Sequence, residues 1–159
     1  MRVLVVDDEP VARRVLLRFL REDPQVAQVS ECSTGEAARV ALEDGEVDVV
    51  FLDIHMPGID GFEALEARAP GVPLAVVFVT AYEEHALRAI DVGAAAYLLK
   101  PFDQEGFERA FERAKAQLHR DRVVRKSAEL SELLGGGRAE ASPAAPGERI
   151  TIPEGTGLR

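Results

Sequence analysis

The chain has 159 residues, of which 47% are hydrophobic and 30% charged, enough for one ordinary domain and a short appendage. No apolar run approaches the ~20 residues that cross a bilayer, MRVLVVDDEP lacks the basic and cleavage regions of a secretory signal, and the single cysteine, Cys32, excludes an intrachain disulfide, so a cytoplasmic setting without membrane contact is expected. The net charge of −9 lies wholly in residues 1–120, which carry 13 basic and 22 acidic groups and should repel nucleic-acid phosphates rather than bind them.

Val3-Leu4-Val5-Val6 is a β-branched run that ends at Asp7-Asp8 and reads as a buried strand. From Pro10, the residues Val11, Val15, Leu16 and Phe19 recur at helical spacing. Val26 to Val29 reads as a weaker strand, and Thr34 is placed to cap a helix through Leu42, with Glu36 and Ala37 in its first turn. Val47 to Leu52 forms an apolar strand interrupted by Asp48 and stopped by Asp53. Met56-Pro57-Gly58 is turn chemistry, followed by a helix through Phe62 and Leu65.

Leu74 to Val79 reads as a strand ending at Thr80, and Glu83 to Val92 as a helix stopped by Gly93. Ala96 to Leu99 is a short strand before Lys100-Pro101, and Asp103 caps a helix with Phe107, Phe111, Ala114 and Leu118 on one stripe. Val123, Leu130, Leu133 and Leu134 extend that helix with a sparse apolar seam, and the seam reads more simply as a helix lying on its own domain than as a dimer contact. Gly135-Gly136-Gly137 ends it, and Ala139 to Gly147 has linker composition. The expected division is therefore 1–120, a helical extension and linker over 121–147, and a separate start at 148–159.

Five strands alternating with five helices predict an α/β fold, a doubly wound parallel sheet of order 2-1-3-4-5. Ligands of such sheets bind at the carboxyl ends of the strands. The residues there are Asp7 and Asp8, Asp53, Thr80 and Lys100. Any one of them alone reads as an ordinary polar turn; all five on one edge point to chemistry. Three adjacent carboxylates repel unless a cation relieves them, and Mg²⁺ suits carboxylates, water and a phosphoryl oxygen. An ionised Asp53 is then a nucleophile toward phosphorus, with Lys100 and the Thr80 hydroxyl placed to stabilise the transferred oxygens.

Val-Asp-Asp-Glu, FLDIHMPGIDGFE, FVTAY and YLLKPFD, in that order, resemble bacterial response-regulator receiver domains across residues 1–120. The resemblance implies a flavodoxin-like fold, and phosphorylation of Asp53 by a sensor histidine kinase. It further implies Mg²⁺ held by Asp8, Asp53 and the backbone carbonyl of His55, with Asp7 acting through water, and a switch pair of Thr80 and Tyr97. Tyr97 by itself reads equally well as a core aromatic. The Lys100–Pro101 bond is expected to be cis. FVTAYEEHALRAIDVGAAAYLLKPFD is similar to receivers that precede a LytTR-type DNA-binding domain, and ERITIPEGTGLR to the opening strand of such a domain. That implies a truncated chain, homodimerisation on phosphorylation, and DNA contact only through the missing output domain. Self-phosphorylation and slow autodephosphorylation would be its only chemistry.

Three residues are set aside. The His55 ring borders the site without acting as a base, and in such receivers positions 55 and 82 tune phosphate lifetime. His85, beside Glu84, and His119 read as surface residues. The competing enzyme reading is a metal-dependent phosphohydrolase of the haloacid-dehalogenase type. It needs a carboxylate two residues after the nucleophile, where this chain has His55. A nucleotide- or flavin-binding role lacks its glycine-rich turn, since the first turn reads Asp-Asp-Glu-Pro. A phosphorylation-independent interaction module leaves the complete strand-end set without a purpose.

Overall fold

The computed structural model describes residues 1–135. Five parallel strands, β1 (Arg2–Val6), β2 (Gln28–Cys32), β3 (Val49–Leu52), β4 (Ala75–Thr80) and β5 (Ala96–Leu99), form one sheet of order β2-β1-β3-β4-β5. Five helices alternate with them: α1 (Pro10–Arg21), α2 (Gly35–Glu43), α3 (Gly61–Leu65), α4 (Ala86–Asp91) and α5 (Gln104–Leu134). The expected fold class and strand order are both observed.

Alternation along the strands sorts the core into two layers. Val3 and Val5 of β1 and Phe51 of β3 face α1 and α5, where they meet Leu16, Leu20, Phe107 and Phe111. Leu4 and Val6, with Leu52 and Phe78, face the other way onto Ala38, Leu42, Phe62 and Leu65 of α2 and α3. β3 and β4 are buried along their whole length, as central parallel strands covered on both faces must be. Phe51 anchors the first layer, its ring 5.5 Å from Phe107 and 5.6 Å from Phe111.

Capping follows the sequence. Thr34 Oγ1 accepts from the Ala37 amide at 3.1 Å, and Asp103 Oδ1 accepts from the Gly106 amide at 2.8 Å. Asp60 and Glu63 form a reciprocal capping box at α3. The Lys100–Pro101 peptide is cis.

Four elements differ from expectation. Residue 26 closes a turn on Asp23 O and residue 27 donates to Met1 O, so β2 begins at Gln28, opposite Arg2, instead of at Val26. Asp48 turns its carboxylate onto the Arg2 amide at 2.7 Å, which delays β3 to Val49. Helix α4 starts at Ala86 rather than Glu83, because residues 82–85 are engaged in side contacts described below. Val11 is exposed; Leu17 and Leu20 carry the buried face of α1 with Leu16 and Phe19.

By its internal contacts the chain divides into Met1–Asp121 and Arg122–Arg159. In the second unit, the helical residues 122–134 hold an Arg125–Glu129 ion pair at 3.4 Å. Val123, Leu130, Leu133 and Leu134 are exposed there. The expected linker beyond residue 135 and the strand within 148–159 lie outside the described residues. Among those described, no helix is long and apolar enough to cross a membrane.

Candidate functional site

Backbone pairing at the carboxyl edge sets the site before any side chain does. The Asp7 amide donates to Cys32 O at 3.1 Å, the Asp53 amide to Val6 O at 2.9 Å, and the Lys100 amide to Thr80 O at 2.8 Å. Each functional residue is therefore the first step beyond a paired strand and keeps that strand's register. Gly61 closes the site from behind: a Cβ at this position would lie 2.4 Å from the Asp53 carbonyl oxygen. Only glycine lets the start of α3 approach so closely, and its amide donates to Ile54 O at 2.9 Å.

Asp7, Asp8 and Asp53 each offer one carboxylate oxygen to a group whose members lie within 4.8 Å of one another. Asp7 and Asp53 are buried, and Asp8 is more open. Lys100 Nζ reaches Asp7 Oδ2 at 2.8 Å, Asp53 Oδ2 at 3.3 Å and Glu9 Oε1 at 2.8 Å. Asp7 Oδ2 is a buried oxygen that accepts no hydrogen bond; the ammonium meets it as an ion pair only. Asp7 Oδ1, by contrast, accepts from the Glu9 amide at 2.9 Å, which fixes the turn.

The electrostatics follow from that packing. Burial, and then the Asp7 charge, raise the Asp53 carboxyl from 3.8 to about 7 against the opposing pull of Lys100 and of the His55 amide. Burial acts to lower the Lys100 ammonium, yet its contacts with Asp7, Glu9 and Asp53 hold it above its ordinary value. Glu9 is lowered by its hydrogen bond to Lys100 and by that group's charge. One lysine thus compensates three of the four carboxylates at this sheet edge, Asp7, Glu9 and Asp53, and leaves Asp8 without a cation among these contacts. Clustered carboxylate oxygens and a deficit of positive charge suit a hard divalent cation such as Mg²⁺.

The other expected members lie alongside. Thr80 is fully buried at the end of β4, and its Oγ1 accepts from the Tyr82 amide at 3.3 Å. Tyr97, on β5 opposite Phe78, donates its hydroxyl to the Tyr82 carbonyl. Thr80 and Tyr97 therefore engage the two sides of one residue, Tyr82. The His55 amide donates to Asp53 Oδ1 at 3.3 Å, while its ring projects outward against Tyr82, centroid to centroid 4.5 Å.

Two participants were not anticipated. In the sequence Glu9 is only part of a motif, and its contact with Lys100 joins residues 91 positions apart, beyond the reach of local pattern. His85 is expected at the surface. It is half-buried, and its Nε2 lies 2.8 Å from His55 Nε2. A helical-periodicity argument placed it inside α4, but it is the residue preceding that helix. His119 is exposed, as expected.

The family model for the response regulator receiver domain matches residues 3–112. The chain is 36% identical to the sensory transduction protein LytT of Enterococcus faecalis over 157 residues, covering 96% of this chain and 61% of LytT. It is 39% identical to the transcriptional regulatory protein BtsR of Escherichia coli over 117 residues, covering 74% of this chain and 49% of BtsR. The chain thus spans half to three-fifths of the length of these relatives. Among solved structures, the response regulatory domain of protein mrkE from Klebsiella pneumoniae superposes with a TM-score of 0.67 at 28% identity, covering 76% of this chain and 99% of that one. The response regulator TrrA of Thermotoga maritima, in complex with Mg²⁺ and beryllofluoride, gives 0.60 at 29% identity, covering 71% and 97%.

Proposed function

Because the chain belongs to the response regulator receiver-domain family, we propose that it stores a signal as a phosphoryl group on Asp53, received from a sensor histidine kinase. The observation that carries this reading is the convergence of Asp7, Asp8, Asp53 and Lys100 at one sheet edge. Asp8, Asp53 and the His55 carbonyl would hold Mg²⁺, with Asp7 acting through a water. When bound, the ion supplies positive charge that offsets the charge on phosphoryl oxygens. That TrrA was solved with Mg²⁺ and beryllofluoride at 29% identity supports the assignment.

Asp53 acts as nucleophile. Its ionised Oδ forms the new O–P bond while the P–N bond of the donor phosphohistidine breaks, the electron pair leaving with nitrogen, which takes a proton. Lys100, already 3.3 Å from Asp53 Oδ2, stays cationic and stabilises the transferred oxygens. The Thr80 hydroxyl turns from the Tyr82 amide toward the phosphoryl group. That movement frees one side of Tyr82, whose carbonyl holds the Tyr97 hydroxyl, so the two switch residues move together. Output then passes through the surface of α4, β5 and α5 to homodimerisation, and to DNA through an output domain joined by the helical extension and linker over 121–147. The working compartment is the cytoplasm.

The phosphohydrolase alternative gains no support. Position 55 is histidine, its ring packed on Tyr82 and His85, and no acid stands there to protonate a leaving group. Turnover in this reading is confined to self-phosphorylation and slow autodephosphorylation. The test is incubation with Mg²⁺ and a small phosphodonor, followed by intact mass. A gain of one phosphoryl group in the wild type, absent in Asp53→Asn, is expected. Full labelling of the variant overturns the assignment.

A further inference from the structure

One contact at the rim of the carboxylate pocket has no task in the phosphorylation chemistry. His55 follows the end of β3 by three residues and His85 immediately precedes α4, and their Nε2 atoms are hydrogen-bonded at 2.8 Å. The bond joins the loop that carries Asp53 to the loop that follows Thr80. Both loops touch the site through their backbone: the His55 amide donates to Asp53 Oδ1 and the Tyr82 amide to Thr80 Oγ1, each at 3.3 Å. The rings stand in a row at the rim, Tyr82 to His55 at 4.5 Å, His55 to His85 at 4.8 Å and His85 to Phe62 at 6.2 Å. Phe62 is buried and lies 4.7 Å from Phe78 of β4, so the row ends on the core.

Burial decides which histidine positions the other. His85 is half-buried beside a fixed ring, whereas His55 and Tyr82 are both exposed. An exposed imidazole held only by an edge contact keeps its side-chain rotations. The hydrogen bond to His85 removes that freedom. A neutral imidazole carries one N–H, so one ring presents Nε2–H while the other presents a bare Nε2 and holds its proton on Nδ1.

We propose that His85 is a positioning residue: it pins the His55 ring as a wall of the pocket mouth and thereby lengthens the life of the phosphoryl group on Asp53. The proposal rests on Asp53 as the phosphoacceptor. Loss of the group consumes one water. The water oxygen bonds to phosphorus, the P–O bond to Asp53 breaks with its electron pair left on the carboxylate, and both water protons leave with the phosphate. That water approaches in line with the breaking bond, from the side opposite the Asp53 oxygen. A pinned ring narrows the approach, and a ring released from His85 swings aside and admits water.

The test follows phosphoryl loss by intact mass in Mg²⁺ at about pH 8 once the small phosphodonor is removed. His85→Ala should gain the group as fast as the wild type and lose it about three- to tenfold faster, the range that one hydrogen bond sets. His85→Gln, whose side-chain amide can make the same bond, should stay within about twofold of the wild type. His55→Ala should lose the group as fast as His85→Ala, and the double variant no faster than either, because His85 acts through the His55 ring. Long-range proton–nitrogen correlation spectra of the unphosphorylated protein read the contact itself and should show the two rings in opposite tautomers. Unchanged decay in His85→Ala, decay in His85→Gln as fast as in His85→Ala, or an acceleration by His85→Ala that recurs in full on the His55→Ala background overturns the proposal, as do two rings of like tautomer. A wild type that gains no phosphoryl group overturns the Asp53 assignment and the lifetime role together, whereas phosphorylation followed by equal decay in all variants overturns the lifetime role alone.

Discussion

Replacing Asp53 with Asn should make the metal-free protein more stable, and the size of the gain can be worked from the site. Burial and the Asp7 charge raise the Asp53 carboxyl from 3.8 to about 7 in the folded chain. A group whose folded value exceeds its unfolded value favours the protonated fold. Its contribution is present below about pH 4 and is lost as the pH rises through about 7. At ~1.4 kcal/mol per pH unit, that interval bounds the cost of ionisation near about 4 kcal/mol. The full figure is not recovered, because Asn gives up the Lys100 contact at 3.3 Å. Lys100 keeps Asp7 and Glu9, and the amide oxygen of Asn can still accept from the His55 amide. A gain of about 1–3 kcal/mol at about pH 8 remains. Urea unfolding in a chelator measures it, read from the midpoint at unchanged slope. The gain should fall by about 2.5 kcal/mol between about pH 8 and about pH 5, as the wild-type carboxyl becomes protonated in the folded chain while the unfolded one stays ionised. It should also diminish when Mg²⁺ neutralises the ionised wild-type site. An Asn variant no more stable than wild type at about pH 8, or a gain that persists undiminished near pH 5, refutes the account of the pocket as a store of uncompensated negative charge.

Phe51→Ala removes a fully buried ring wedged against Phe107 and Phe111, and urea unfolding should show a loss of about 3–5 kcal/mol. Gly61→Ala forces a methyl group against the Asp53 carbonyl; a loss of about 1–3 kcal/mol is expected, with slower phosphorylation in the mass assay because the nucleophile's own peptide must shift. Lys115 Nζ lies 2.6 Å from Asp23 Oδ2, and although burial acts to raise Asp23, the Lys115 hydrogen bond and the Gln25 amide leave it lowered. Lys115→Met should cost about 1 kcal/mol at neutral pH. That difference is present above the unfolded carboxyl value and should vanish as the pH falls through the folded one, so wild-type and variant unfolding curves converge in acid.

Local pattern was informative where a residue's role depends on its neighbours in the chain. Val3 to Val6 and Leu74 to Val79 are apolar runs too short for a helix and flanked by turn residues, and they yield β1 (Arg2–Val6) and β4 (Ala75–Thr80). Thr34 and Asp103 cap helices because a cap needs only an amide three residues onward. It misled where partners across the fold compete. Val26 to Val29 is more apolar than Gln28 to Cys32, but β2 is an edge strand, and pairing with Arg2 to Val6 chose its register over hydrophobicity. The start of α4 was lost to a similar competition. The Tyr82 amide goes to Thr80, its carbonyl to Tyr97, and the His85 ring to His55, so the helix begins only at Ala86.

The functional site divides along the same line. The sequence alone determined which side chains stand at the sheet edge, because a parallel α/β sheet delivers the residue after each strand to one rim, and a strand's end is a local property. Asp7, Asp8, Asp53, Thr80 and Lys100 were legible for that reason. Only the tertiary structure decided how those charges share their partners. That Lys100 is divided among Asp7, Glu9 and Asp53, that Asp53 is pushed up to about 7, and that His55 meets His85 across the pocket mouth are facts of distance between residues far apart in the chain. Electrostatic coupling decays over a few ångströms in space and has no period along the sequence, so it comes into being only once the strands are laid side by side.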